Sequence, residues 1–130
     1  MRFNWRDFLL VSHDLRNKRD EGSLRTCISR TYYYVFNIGL IKARQLNFRE
    51  TNPELHRKLW DWCQKSPDLE MNKIGIIGNR LKSLRVLADY RDEPIPNLAG
   101  EVKDQLVRAQ AFEAIIAKKN GLAPPVALTL

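Results

Sequence analysis

Runs of alternating apolar and polar residues are nearly absent from this sequence, so a β-sheet lacks its usual signature. Cysteine is scarce as well: Cys27 and Cys63 lie far apart, form no CxxC pair and have no neighbouring histidine cluster. That argues against a zinc site or a disulfide scaffold and for two buried thiols in a reducing compartment; no metal and no cofactor are expected. No uninterrupted apolar run is long enough to span a bilayer. The opening Met-Arg-Phe-Asn-Trp-Arg-Asp lacks the apolar stretch of a secretory signal, so a cytoplasmic protein with no membrane partner is expected. No repeat, linker or low-complexity segment divides the chain.

What is present fits one domain. A length of 130 residues supports one real core and not two, and 44% apolar residues can fill it. The formal charge of +7 is uneven: residues 1–50 hold ten basic and five acidic side chains, which is +5, and the remaining eighty contribute +2. Such a bias favours an anionic partner, nucleic acid ahead of membrane.

A period of three to four recurs in five segments, which predicts an all-α, five-helix up-and-down bundle over residues 1–120 with a tail at 121–130. The first segment, about residues 4–18, places Trp5, Phe8, Leu9 and Leu15 on one side. Gly22 breaks it and Ser23 is the expected cap of the second, about residues 24–48. In that helix Leu24, Ile28, Tyr32, Val35, Gly39, Ala43 and Leu46 draw an inward stripe. Thr51-Asn52-Pro53-Glu54 announces the third, with proline at its first helical position and Leu55, Leu59, Trp62 and Cys63 inward. The fourth, about residues 70–89, carries Ile74, Ile77, Leu81, Leu84 and Ala88. Its Gly75 and Gly78 each cost about 1 kcal/mol against alanine, so another helix is expected to approach closely there. The fifth, about residues 98–120, turns Val102, Leu106, Ala109, Ile115 and Ile116 inward and stops at Gly121. "LAPPVALTL" then trails off, too short and proline-broken to form an element.

One face cannot hold everything in "SRTYYYVFN", residues 29–37. Opposite the inward stripe, Arg30, Tyr34, Asn37, Ile41 and Arg44 are spaced four, three, four and three, and Tyr33 borders them. Solvent alone would explain the arginines and the asparagine. The tyrosines and Ile41 instead suit a contact surface, either a second copy of the chain or a nucleic acid held by stacking and charge. On the fourth helix Arg80 and Arg85 flank the apolar stripe from its two sides. Arg85 can pair with Asp89 four residues on, or can reach a phosphate that Asp89 or Tyr90 orients.

"ISRTYYYVFN" followed about fifty residues later by "LRVLADY" resembles the HEPN domain, in the small stand-alone branch that pairs a Ser-Arg-x-Tyr-Tyr helix with an Arg-x-x-Ala-Asp-Tyr helix end. The resemblance covers most of residues 5–118. It implies an all-helical bundle that pairs with a copy of itself, often encoded beside a minimal nucleotidyltransferase in toxin–antitoxin or phage-defence pairs. Catalytic members are metal-independent ribonucleases, whose Arg-x4–6-His motif meets its copy across the dimer. There the arginine would hold the scissile phosphate and the histidine would move a proton.

This sequence departs from the family at that motif. From Arg85 the histidine window falls on Tyr90, Arg91 and Asp92, and from Arg80 on Arg85, Val86 and Leu87. Asn37 stands where the family's long helix often carries histidine. His13 and His56, on the first and third helices, read as solvated or pairing side chains. Three readings stay open: binding of RNA or a nucleotide through Arg30, Arg80 and Arg85 and of a nucleotidyltransferase partner through the face of Arg30, Tyr33, Tyr34, Asn37, Ile41 and Arg44, or cleavage by Arg85 with Tyr90 or Asp92 as substitute. A plain scaffold subunit is the third.

Overall fold

The computed structural model describes residues 2–130, and those residues form five helices with no strand among them: α1 (Arg6–Leu15), α2 (Glu21–Gln45), α3 (Leu55–Gln64), α4 (Leu69–Tyr90) and α5 (Leu98–Lys119). The all-α five-helix bundle read from periodicity is the fold. Among the described residues no helix is long and apolar enough to cross a membrane.

The central rod is α2, which packs against all four other helices. Its expected inward residues Leu24, Ile28, Tyr32, Val35, Gly39 and Ala43 are buried. Leu46 is not: the helix ends at Gln45, Leu46 is exposed, and Phe48 folds back into the core in its place. The start also shifts. Asp20 caps the helix by accepting from the Ser23 backbone N–H at 2.9 Å, so Gly22 and Ser23 lie within the first turn.

Helix α3 begins two residues beyond Pro53, at Leu55, with Glu54 as its N-cap in the left-handed region (φ 60°) and Asn52–Pro53 in cis. Proline is therefore not the first helical residue. Leu59 and Cys63 are buried as expected, but the principal core side chain of α3 is Trp60 rather than Trp62, which stays half-buried against Phe48. The glycines of α4 explain this. A Cβ on Gly75 would sit 2.7 Å from the Gln64 backbone nitrogen, and one on Gly78 would fall inside the Trp60 indole. Helices α3 and α4 can approach only because both positions lack a side chain. The same indole would stand 3.0 Å from a Cβ at Gly39 of α2, a tight fit, and meets Phe112 of α5 edge-on at 6.0 Å. One tryptophan thus joins four helices.

Cys27 and Cys63 are free and buried, and burial pushes their thiols up to about 11 and about 12. Cys27 Sγ donates to the Ser12 carbonyl while Ser12 Oγ donates to that of Cys27, which ties α1 to α2.

Gly121 (φ 72°) ends α5 in a Schellman arrangement: Leu122 N donates to Ala117 O at 2.9 Å and Gly121 N to Lys118 O at 3.0 Å. The residues after it form no regular element, yet they lie along the bundle rather than away from it. Arg6 of α1 and Gln110 of α5 both hydrogen-bond their main chain.

Candidate anion-binding site at Arg85

The two stripes of α2 are separated less cleanly than their spacing implies. Tyr33 and Tyr34 straddle the outer stripe on opposite sides, and each leans to a different neighbour. Tyr34 departs from the expected outward position: it is buried, and its hydroxyl donates to Glu113 of α5 at 2.5 Å. Burial raises its phenol well above the ordinary value, and the Glu113 carboxylate adds to that. Between the two tyrosines, Arg30, Asn37 and Arg44 are half-buried and Ile41 is 49% exposed. Asn37 donates back to the Tyr33 carbonyl at 2.7 Å, and Arg44 caps Phe48 by donating to its carbonyl and lying over its ring.

Tyr33 leans toward α4 and meets Arg85. Only 6% of Arg85 is exposed, so most of its guanidinium is withdrawn from water. Aromatic faces surround it: the centroids of Tyr32, Tyr33 and Tyr90 lie 4.9, 5.3 and 5.7 Å from Cζ. Its polar partners are poor. Nη1 reaches the Tyr33 hydroxyl at 3.5 Å and Asp89 Oδ2 at 3.9 Å, and Nε has no hydrogen-bond partner. A buried donor left unpaired costs about 1–3 kcal/mol, more when charged, so this arginine has capacity unused within the chain. Asp89 is occupied elsewhere, since its Oδ2 accepts from Ser29 Oγ at 3.1 Å, and Ser29 Oγ in turn accepts from Arg30 Nη2 at 3.3 Å. Arg30 lies over both Phe8 and Tyr33. Two guanidinium groups therefore share one tyrosine ring, with a single carboxylate between them and a net charge of +1.

The mouth of the cluster is set by where α4 stops. Arg25 of α2 donates from its guanidinium to the carbonyls of Leu87 and Ala88 in the last turn of α4 and of Arg91 and Glu93 in the loop beyond it. Arg91 is extended (φ −116°, ψ 140°), so Tyr90 is the last helical residue and stands 70% exposed beside Arg85. Asp92 could stack over Arg85 only on a continuing helix; the chain has left that path before reaching it, and Asp92 lies in the exposed 91–97 loop. Arg80, five residues before Arg85, is exposed outside the cluster.

Sequence spacing gave no hint of one member. His56 of α3 lies against the same two tyrosines that flank Arg85, 5.6 Å from the Tyr32 centroid and 6.2 Å from that of Tyr33, and stacks on Phe36 at 3.8 Å. Its Nδ1 is 2.6 Å from the Tyr32 hydroxyl, which also accepts from Trp60 Nε1 at 3.0 Å. Because an indole can only donate, the phenol proton is free for Nδ1, and this assigns the neutral imidazole with its own proton on Nε2. Desolvation, then the positive charges of Arg85 and Lys82, push His56 down to about 4, which agrees. A histidine so held has its lone pair engaged and is a poor proton acceptor at neutral pH. His13, far from this cluster in sequence and fold, meets the Thr129 carbonyl.

Among the described residues no group of histidine, cysteine and carboxylate side chains could hold a metal ion. The arrangement suits an oxyanion: a phosphate oxygen would meet an arginine with weak partners, a second arginine at Arg30 and a phenol at Tyr90. No family model, no curated protein and no solved structure matches this chain.

Proposed function

We propose that this chain is a HEPN-type helical protein that acts as a cytoplasmic homodimer in a toxin–antitoxin or phage-defence pair and binds the phosphate of RNA or of a nucleotide. The observation that carries the reading is Arg85: a buried guanidinium enclosed by three tyrosine rings, with an unpaired Nε and no partner closer than 3.5 Å. Binding rather than cleavage is favoured because the acceptors around it are engaged or displaced: Asp89 takes the Ser29 hydroxyl and faces the Arg85 charge. His56 is neutral with Nδ1 engaged, and Asp92 lies off the helix. The partner face, for a second copy or for a nucleotidyltransferase, comprises Asn37, Ile41 and Arg44 with Arg30 and Tyr33 at its edge, and Tyr34 drops out of it.

The test is anisotropy of a labelled single-stranded RNA titrated with the protein in chelator, at several salt concentrations, alongside a gel of the same RNA. A charge-assisted hydrogen bond contributes about 1.5–3 kcal/mol, so Arg85→Met should weaken binding roughly ten- to hundredfold while Arg80→Ala changes it little. Affinity should fall steeply with salt as counterions are displaced. Equal affinity in the wild type and Arg85→Met overturns the reading. RNA cleavage that disappears in Arg85→Met replaces it with a ribonuclease.

A further inference from the structure

The way in to Arg85 is restricted. Its Nε is buried without a partner, so an anion that meets this atom must pass between the rings that enclose the guanidinium. Those rings are not equally movable. Tyr32 is fully buried, and its hydroxyl is held by His56 Nδ1 at 2.6 Å and by Trp60 Nε1 at 3.0 Å. Tyr33 carries both Arg30 and Arg85 over its ring, at 4.9 and 5.3 Å, and lies edge-on to Tyr32 and His56. Tyr90 alone of the three stands mostly in water, on the last turn of α4 where the chain bends away. The entrance is therefore on the Tyr90 side.

Such an entrance discriminates between phosphates. A phosphate within a strand is esterified on two of its oxygens, and seating it against an enclosed guanidinium would draw two flanking nucleotides in past Tyr90. A phosphate at a strand end, or on a mononucleotide, has one ester bond, so its single attachment can leave by the path it entered. The donors repeat the distinction. Arg85, Arg30 and the Tyr90 phenol are three separate groups, and they match the three unesterified oxygens of a phosphomonoester, where a diester offers two. Charge acts in the same direction. Two guanidinium groups stand against the one carboxylate of Asp89, and a phosphomonoester brings them about −1.5 to −2 charge near neutral pH where a diester brings a single charge.

We propose that the Arg85 site takes a nucleotide phosphomonoester, the phosphate at a strand end or on a free mononucleotide, in preference to the diester phosphates within a strand. The inference rests on phosphate binding at Arg85 and adds the class of phosphate bound.

One short RNA, labelled on an internal base and prepared with a 5′-phosphate, with a 3′-phosphate and with hydroxyls at both ends, tests it by anisotropy in chelator with the wild type and Arg85→Met. One additional charge-assisted contact corresponds to about tenfold in affinity, so one of the two phosphorylated forms should bind at least about tenfold more tightly than the hydroxyl form, and Arg85→Met should bind all three alike. AMP and adenosine as competitors separate the two sources: AMP that displaces the phosphorylated strand where adenosine does not assigns a free mononucleotide, and AMP without effect assigns a strand end. Equal affinity of the wild type for the three forms, with Arg85→Met weakening all of them together, overturns end recognition and leaves phosphate binding in place. Equal affinity of the wild type and Arg85→Met for every form overturns phosphate binding at Arg85 and end recognition with it.

Discussion

The bundle contains two clusters built from the same kinds of side chain, and they behave as opposites. On the α1/α5 side, Arg6 makes two bonds to Glu113, Nε to Oε2 and Nη2 to Oε1, both at 3.1 Å, and Glu113 also takes the Tyr34 hydroxyl. Glu113 is 4% exposed, so each of its oxygens is both desolvated and satisfied, and the pairing raises the pKa of Arg6. On the α3/α4 side, Arg85 is as deeply buried but meets its carboxylate at 3.9 Å and leaves Nε unpaired. A closed network holds helices together. An open one stays costly until something else completes it, and a ligand that did so would stabilise the fold by mass action.

Breaking the closed cluster should cost most. Glu113→Ala leaves a guanidinium 23% exposed with only the Val126 carbonyl and a buried phenol without a partner, and a destabilisation of about 3 kcal/mol is expected, at the low end for a broken buried pair; urea unfolding would measure it. A loss below about 1 kcal/mol would erase the contrast.

Acid should act on the other side. The folded pKa of His56 is depressed from 6.5 to about 4, so the unfolded chain takes up a proton that the native chain refuses. The stability it contributes is complete above pH 6.5, declines as pH falls toward 4, and is flat below. At about 1.4 kcal/mol per unit, discounted for partial exposure, the loss should be about 2 kcal/mol. His56→Phe should remove that slope in urea melts between pH 7 and pH 4. The same slope in the variant would show that other groups set the acid response.

The smallest effect should come from Arg85→Met. Replacing a poorly paired buried charge by an apolar side chain of similar length is near neutral, so a change within about 1 kcal/mol is expected. Thermal unfolding would measure it. A loss comparable to that of Glu113→Ala would mean that Arg85 belongs to the scaffold after all.

The apolar period was legible because helix burial follows it. Six of the seven residues in the inward stripe of α2 are buried, and Gly75 and Gly78 do mark a close helix contact. What stayed hidden depends on neighbours that no local spacing encodes. Tyr34 looks outward on an isolated helix and is buried because α5 arrives with Glu113. Trp60 and Trp62 could not be ranked from α3 alone, although the notch made by Gly39 and Gly78 on two other helices was a usable sign that a large ring had to fill it. The path of the chain after Tyr90, which decides the place of Asp92, is held by Arg25 on a distant turn of α2. His56 reaches Tyr32 through tertiary packing only.

Tyr33 and Tyr34 are successive residues of one rod, and each anchors a different cluster. A small twist of α2 about its own axis cannot leave either undisturbed, since a rotation that drew Tyr33 closer to Arg85 would carry Tyr34 away from Glu113. The two sides of the molecule are therefore geared through a single axle, and a displacement on one flank is felt at the ion pair that steadies the other.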